Sequence, residues 1–372
     1  MRHIVLSVCA VCLLAACNTA DKQGIATSVV KGADGNELTI CHYQDVSDTI
    51  EMKLSELVED CRIVRFEDND SALLGFRVFP TFTDHYIGMT QEHKPYLLFD
   101  KDGKFLCNVG GVGNGPGEYA MSIYDAAIDE QAGEVYLGIF AAQSKIMVYG
   151  LDGKLVRENV VSQRLNKPKL KMDAEGCLNV IHIPFLNQEP HTMVYRFDRE
   201  GNLMQTLEVD EHLCAENFNQ DLFAYDNVPD LAFYLTSCDT LFHYEAAGNR
   251  IVPKYTIDFG LMDEKPVHIY NELPFHYWTV VFGVGTIVTD KQKLNSHYVR
   301  LVNDFYGGLK NSFVFQDGYA FSMLEPGRLI YRIEQRLKEK DCSDADRQLL
   351  EELLQSVDEE GNNIMFVGKL KR

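Results

Sequence analysis

Two stretches of the chain concentrate residue types that do chemistry. Val109–Tyr119 reads VGGVGNGPGEY, five glycines and a proline in eleven residues closing on Glu118-Tyr119. A glycine-rich loop of this kind can cradle a phosphate on its backbone N–H groups. The details speak against it. Glu118 stands where a Walker A loop needs its lysine, and its charge would repel a phosphate. The dinucleotide fingerprint G-x-G-x-x-A is met by Gly115, Gly117 and Ala120, but the residues that follow (SIYDAAI, then EVYLGI) read as strands rather than the required helix. The alternative is a backbone corner. Glycines allow positive φ and close approach, Pro116 stiffens the bend, Tyr119 packs beneath it, and Glu118 accepts backbone N–H groups. A ligand-binding role for Glu118 and Tyr119 at a channel mouth stays open beside it.

The second stretch is Pro274–Val281, PFHYWTVV, which gathers His276, Tyr277 and the single tryptophan, Trp278. Such a cluster can stack on a sugar or a peptide, or form an aromatic core. The histidines (His85, His93, His182, His191, His212, His243, His268, His276 and His297) show neither H-x-H nor H-E-x-x-H spacing, and DKDG at Asp100–Gly103 lacks the acidic positions of a calcium loop. No nucleophile–His–acid arrangement is legible. No catalytic residue, metal ligand or cofactor is therefore assigned from the sequence.

These candidates need elements to hold them, and the elements repeat. YLLFDKDGKFL (Tyr96–Leu106), IMVYGLDGKLV (Ile146–Val156), MVYRFDREGNLM (Met193–Met204) and LFHYEAAGNRIV (Leu241–Val252) each alternate apolar residues around a turn. Their aromatics Phe99, Tyr149, Phe197 and Tyr244 fall 50, 48 and 47 residues apart. Period-two apolarity around Asp-Gly or its equivalent predicts β-hairpins. With DHYIGM, GEVYLGI and EGCLNVIHI upstream, each unit is a four-stranded propeller blade, and Leu73 to the C-terminus has room for six. Two units are degenerate. HYVRLVNDFYGG (His297–Gly308) keeps its strand but blurs its turn. The last, from SFVFQDGYAFSML (Ser312–Leu324), is interrupted by a helical pair at about 327–357, with Ser343 as the N-cap of the second helix. The final strand, NIMFVGKLK (Asn363–Lys371), is expected to join CRIVRF (Cys61–Phe66) and close the ring, removing its open edge.

The N-terminus predicts the location. Arg2 and His3 precede a charge-free apolar run, Ile4–Ala16, of signal-peptide length. Leu14-Ala15-Ala16-Cys17 resembles the bacterial lipoprotein processing box, which implies cleavage after residue 16 and lipidation of Cys17. Asn18 is not the aspartate that favours inner-membrane retention, so an outer-membrane anchor is expected, on either leaflet. Residues 17–44 read as lipidated N-terminus and tether, and 45–372 as the propeller. No later segment is apolar enough to span a membrane as a helix. The whole chain carries 35 basic and 55 acidic residues, a net −20, and −21 from Cys17 onward once Arg2 is removed. That balance works against nucleic-acid binding. Seven cysteines follow Cys17 without a C-x-x-C pair, an odd number that leaves at least one free or paired between chains.

Gly111–Val156 resembles an NHL-type repeat, through Gly113, Gly115, Gly117, Glu118, Tyr119, Asp129, Val135–Leu137, Ile146–Tyr149 and Asp152-Gly153-Lys154. From Leu54 to Lys371 the chain is similar to six-bladed β-propeller lipoproteins of Gram-negative bacteria, through LSELVEDCRIVRFE, the G-x-G-P-G-E-Y run and a helical pair before a final strand ending in KLK. The resemblance implies an all-β, six-bladed propeller with the helical pair inserted in its last blade. It implies little about activity, because propellers host enzymes, binders and scaffolds alike. The expectation is a non-catalytic binding platform for a protein, glycan or peptide partner, held at a membrane by its anchor. The alternatives are a channel-site lyase or hydrolase, with or without a metal, and a structural subunit of an envelope complex.

Overall fold

In the computed structural model the described residues are 26–372, apart from 33, 34, 76, 121, 141–143 and 263. The signal segment and Cys17 lie outside them.

Six sheets surround an axis, each beginning with an inner strand and stepping outward through antiparallel neighbours. The inner strands of blades 1 to 6 are Val78–Phe82, Ile123–Asp129, Lys169–Met172, Leu222–Phe223, His268–Glu272 and Val314–Gln316. The propeller is therefore six-bladed, as the 50-residue period requires. Blade 6 takes its third strand from the C-terminus (Ile364–Lys369) and its fourth from the N-terminal part (Arg62–Arg65), paired antiparallel from Ile364 opposite Arg65 to Val367 opposite Arg62. Between its second and third strands lie the helices Pro326–Lys338 and Asp344–Gln355, the latter capped by Ser343, whose side chain accepts a hydrogen bond from the Asp346 N–H. Leu329, Ile333, Leu350 and Leu353 turn inward onto Leu324, Ile364 and Phe366, so these apolar stripes are spent inside the molecule. No helix among the described residues is long and apolar enough to cross a membrane.

The segment read as a tether is partly folded. Thr27–Lys31 and Glu37–His42 form a hairpin, and the second strand pairs in parallel with the outer strand of blade 4, Arg250–Asp258. Thr49–Lys53 does the same for blade 5, beside Asn295–Val302. The ladder groups of those two outer edges are satisfied by these additions, which is why this polar segment orders. The blurred turn of blade 5 has a reason of its own. Its outer hairpin bends at Asp290–Leu294, where Leu294 rather than a glycine takes the positive φ of 52°.

The turn glycines do more than permit a left-handed backbone. Gly153 has φ 79°, and a Cβ there would stand 2.1 Å from the carbonyl oxygen of Asn108, on the outer strand of the preceding blade. The Gly110 N–H donates to the Gly153 carbonyl across the same seam, at 2.9 Å. Gly283 has a similar φ of 74° and open space around it. Gly283→Ala should therefore lose only the conformational term, about 1 kcal/mol, and Gly153→Ala clearly more, about 3 kcal/mol, because the seam must open as well. Urea midpoints of the two variants check this, and equal losses would remove the seam from the account.

Candidate functional site

The inner strands all run in one direction, so their C-terminal ends and following turns meet at one end of the axis. A cavity of about 720 Å³ opens there, walled by residues of all six blades. Ala126, Ala127, Ile128, Leu170, Met172 and Phe275 supply apolar wall. Beneath it the channel is crossed by chain. Only Leu222 and Phe223 of blade 4 keep strand pairing, and the residues that follow leave the sheet and reach blade 6. The Asp317 N–H donates to the Tyr225 carbonyl at 2.7 Å. The Asn227 amide donates to the Phe315 carbonyl at 3.1 Å and accepts from the Gly318 N–H at 3.0 Å. Blade 5 joins through Asn271, whose amide donates to the same Phe315 carbonyl at 2.8 Å.

This crossing delivers charge to the axis. Asp226 and Asp317 both take φ 53°, a left-handed conformation that short polar side chains tolerate. Asp226 lies 3.6 Å from Lys171 Nζ, which itself donates to the Val228 carbonyl at 2.5 Å. Asp125 accepts from Lys169 Nζ at 3.1 Å and from the Leu170 N–H at 2.8 Å, and Asp317 accepts from the Phe82 N–H at 2.9 Å. Burial raises all three carboxyls. Asp125 reaches about 6, with Lys169 opposing the shift. Asp317 is pushed well above the carboxylate range, because the charges of Asp226 and Asp125 add to its burial. The cluster thus sets three carboxyls, whose charged forms burial disfavours, beside the ammonium groups of Lys169 and Lys171.

A second network lines the mouth. His243 sits between Asp230, 3.1 Å from Nδ1, and Glu272, 2.5 Å from Nε2, and Lys291 Nζ donates to the other Glu272 oxygen at 2.6 Å. Burial disfavours charge on the imidazole, but the two carboxylates outweigh it and raise its pKa. Burial likewise opposes the Glu272 charge, and His243 and Lys291 outweigh it and lower its pKa. Both ring nitrogens are thus engaged by carboxylates, and neither is left free to meet a substrate.

The residues singled out from sequence are dispersed. Tyr119 is buried between blades 1 and 2. Its hydroxyl donates to the Val109 carbonyl at 2.9 Å and accepts from the Tyr96 N–H at 2.8 Å, so none of its polar capacity faces solvent. Glu118 is exposed and accepts from the Gly115 N–H at 2.8 Å. A Cβ at Gly113 would fall 2.0 Å from its carboxylate oxygen, which gives that glycine a steric reason. The loop joins an outer strand to the next inner strand and so lies at the opposite end of the axis from the cavity mouth. Trp278 is buried edge-on to Phe315, with ring centroids 4.9 Å apart, and Tyr277 stacks on Tyr255 at 4.3 Å. His276 borders a separate, smaller pocket with Asp290 and His297, where burial lowers its pKa. None of the five lines the axial cavity, although Phe275, beside them in sequence, does.

Asp226, Asp317, Lys169, Lys171 and the His243 network were not picked out from sequence. The signal was present in KLKM (Lys169–Met172), where two lysines alternate with apolar residues on an inner strand. Among the described residues one group has metal-ligand spacing, Asp173, Glu175 and Cys177. Arg196 already fills that position, at 2.9 Å from Asp173 and 2.5 Å from Glu175, so the charge a cation would neutralise is neutralised. All seven cysteines among the described residues are unpaired, and Cys41, Cys177, Cys214 and Cys342 are buried.

A family model described as "Domain of unknown function (DUF4934)" matches residues 39–280. No curated protein matches the sequence. Among solved structures the chain is similar to a "Putative exported protein" from Bacteroides fragilis NCTC 9343, with a TM-score of 0.60 at 16% identity, over 87% of this chain and 100% of that one. It is also similar to U3-55K, with a TM-score of 0.46 at 10% identity over 83% and 98% of the two chains. Hydrazine synthase of Kuenenia stuttgartiensis gives 0.38 at 14% identity over 56% and 62%. The first likeness concerns the fold alone.

Proposed function

The chain belongs to the DUF4934 family, and from that premise we propose that it is an envelope-anchored lipoprotein whose propeller is a non-catalytic binding platform. The ligand is a peptide or glycan segment of a partner, held in the axial cavity. One observation carries this reading: a 720 Å³ space of mixed polarity, walled by six blades and floored by chain, is of the size and character of a ligand site. The "exported" description of the Bacteroides neighbour and the Leu14–Cys17 box of the chain itself support the location. The lyase or hydrolase reading draws on the convergence of His243, Glu272 and Lys291 at the same mouth. Their mutual saturation favours binding over catalysis.

Peptide and glycan arrays probed with the chain from Asn18 onward test the proposal. A retained ligand should bind about tenfold more weakly to Phe275→Ala, which removes apolar wall, and more weakly to Asp226→Asn. Met204→Ala, on the outer strand of blade 3, should match the parent. Turnover of a retained compound would establish the enzyme instead, and equal binding by all four proteins would remove the cavity as the site.

A further inference from the structure

The other end of the axis carries an apolar patch with no covering element among the described residues. Leu261 is fully exposed in the crossover from blade 4 to blade 5, and Met262 follows it. Val267, at the start of the blade 5 inner strand, and Phe282 and Val284, in the turn between its second and third strands, are each more than half exposed. All five lie on the crossover into blade 5 or on the turn beside its first residue. The Phe282 N–H donates to the Val267 carbonyl at 2.9 Å, and Phe259, two residues before Leu261, packs on His268 with ring centroids 4.9 Å apart. Lys265, within the same crossover, is paired with Asp239, so its charge is neutralised beside the patch.

The described chain begins beside this surface. The Ala26 carbonyl accepts from the His42 N–H at 2.9 Å, and His42 stands opposite Asp258 in the parallel ladder. Two strand spacings, about 10 Å, therefore separate Ala26 from Asp258, three residues before Leu261. Tyr43 packs on Phe259 with centroids 5.1 Å apart, which fixes the hairpin against the base of the crossover. From Cys17 to Ala26 the chain has nine steps and reaches at most about 30 Å. A lipid on Cys17 would hold this end of the propeller close to the bilayer. The helical pair leaves blade 6 at the same end, and its first helix exposes Arg328, Tyr331 and Lys338, the mixture of basic and aromatic residues suited to a headgroup layer.

We propose that Leu261, Met262, Val267, Phe282 and Val284 form a membrane-docking surface that enters the interface of the bilayer holding the anchor, orienting the propeller with its axial cavity facing away from the lipid. The inference rests on the lipoprotein reading, and its physical basis is that an anchor on a tether leaves the domain free to rotate while a second, apolar contact orients it.

The test tethers the chain from Asn18 by a hexahistidine tag in place of Cys17 to vesicles of brominated phosphatidylcholine containing a nickel-chelating lipid. Because this anchor is artificial, its outcome is independent of lipidation, which is read separately from the acyl mass on Cys17 in native envelopes. Phe282→Trp places an indole in the patch, over the constant background of buried Trp278, and Leu203→Trp places one at the opposite end of the axis. The emission added by Phe282→Trp should be lost on tethering to brominated vesicles and retained on unbrominated ones, whereas that of Leu203→Trp should survive both. Adding Leu261→Asp should restore the Phe282→Trp emission. Undiminished emission of Phe282→Trp on tethering would overturn the docking surface, as would quenching equal to that of Leu203→Trp. A spectral change that follows protein concentration without vesicles would assign the patch to a second copy and overturn it likewise. An unacylated Cys17 would instead sink the anchor reading.

Discussion

Removal of residues 364–372 should abolish cooperative folding of the whole propeller. The segment lost is the third strand of blade 6, and it is paired on both sides. Tyr319–Leu324 meets it from Tyr319 opposite Lys369 to Leu324 opposite Ile364, and Arg62–Arg65 lies on its other face. Without it the outer strand has no partner and the N-terminal part of the chain no longer meets the C-terminal part, so the ring reopens with two raw sheet edges. The side chains lost are core. Met365 and Val367 pack with Phe99 and Met89 of blade 1, while Phe366 and Ile364 pack beneath the helical pair. Truncating Phe366 alone to alanine should cost about 3–5 kcal/mol, a large share of the roughly 5–15 kcal/mol that holds a domain together. Deleting four such residues and both ladders exceeds that margin. Thermal unfolding followed by far-ultraviolet circular dichroism should show no sharp transition for the truncated chain, and a transition lowered by several degrees for Phe366→Ala. A truncated chain that melted cooperatively near the parent temperature would show that the ring does not depend on this closure.

Much of that architecture is legible in the sequence because it is local. Alternation, an aromatic and an Asp-Gly turn recur within eleven residues, and the period between copies measures a blade. The closing strand is legible for a different reason: a terminal strand and an early unpaired strand each have an edge to satisfy. The edge additions at Thr27–Lys31, Glu37–His42 and Thr49–Lys53 escaped, although LTICH alternates and Gly35 supplies a turn with φ 81°. The blade edges that Glu37–His42 and Thr49–Lys53 join lie more than 200 residues away, and nothing local says which edge they complete. The cavity floor is the same case. Asp226 and Asn227 look like loop residues because they are in a loop, and only the ring brings Asp226 to Lys171 and Asn227 against Phe315 and Gly318. The glycine-rich stretch was the reverse. Its composition invited chemistry, and its contacts (Tyr119 on Val109, Glu118 on Gly115) are those of a joint between blades.

The two ends of the axis thus divide the work. Crossovers and the helical insertion gather at the end where the chain leaves toward Cys17, and charged turns gather at the cavity. The proposed docking of a membrane-held binder would turn its mouth away from the lipid, because the inner strands run from the apolar end to the cavity end.

Glu272→Gln should be the most damaging single substitution at the cavity mouth, and its effect should depend on pH in a defined window. Glu272 is buried and accepts from both His243 and Lys291. Neutralising it leaves two cationic groups without their shared counter-charge, and breaking a buried pair from one side costs about 3 kcal/mol. The sign of the pH dependence follows from the two shifts. Glu272 titrates below its ordinary 4.5 in the folded state, so its contribution is complete above about pH 4.5 and is lost as pH falls through the lowered folded value. His243 titrates above its ordinary 6.5, so its contribution is complete below about pH 6.5 and is lost as pH rises through the raised folded value. The stability difference between parent and Glu272→Gln should therefore be greatest between about pH 4.5 and 6.5 and shrink on both sides. Urea unfolding across pH 4–8 measures it. Nuclear magnetic resonance titration of His243 supplies the second reading, since its pKa should fall in the variant as one of its two carboxylate partners is removed. A difference that is flat with pH, or below the roughly 0.5 kcal/mol of an exposed ion pair, would mean that solvent screens these groups and that the mouth is not the dry, prepaired wall a binding site requires.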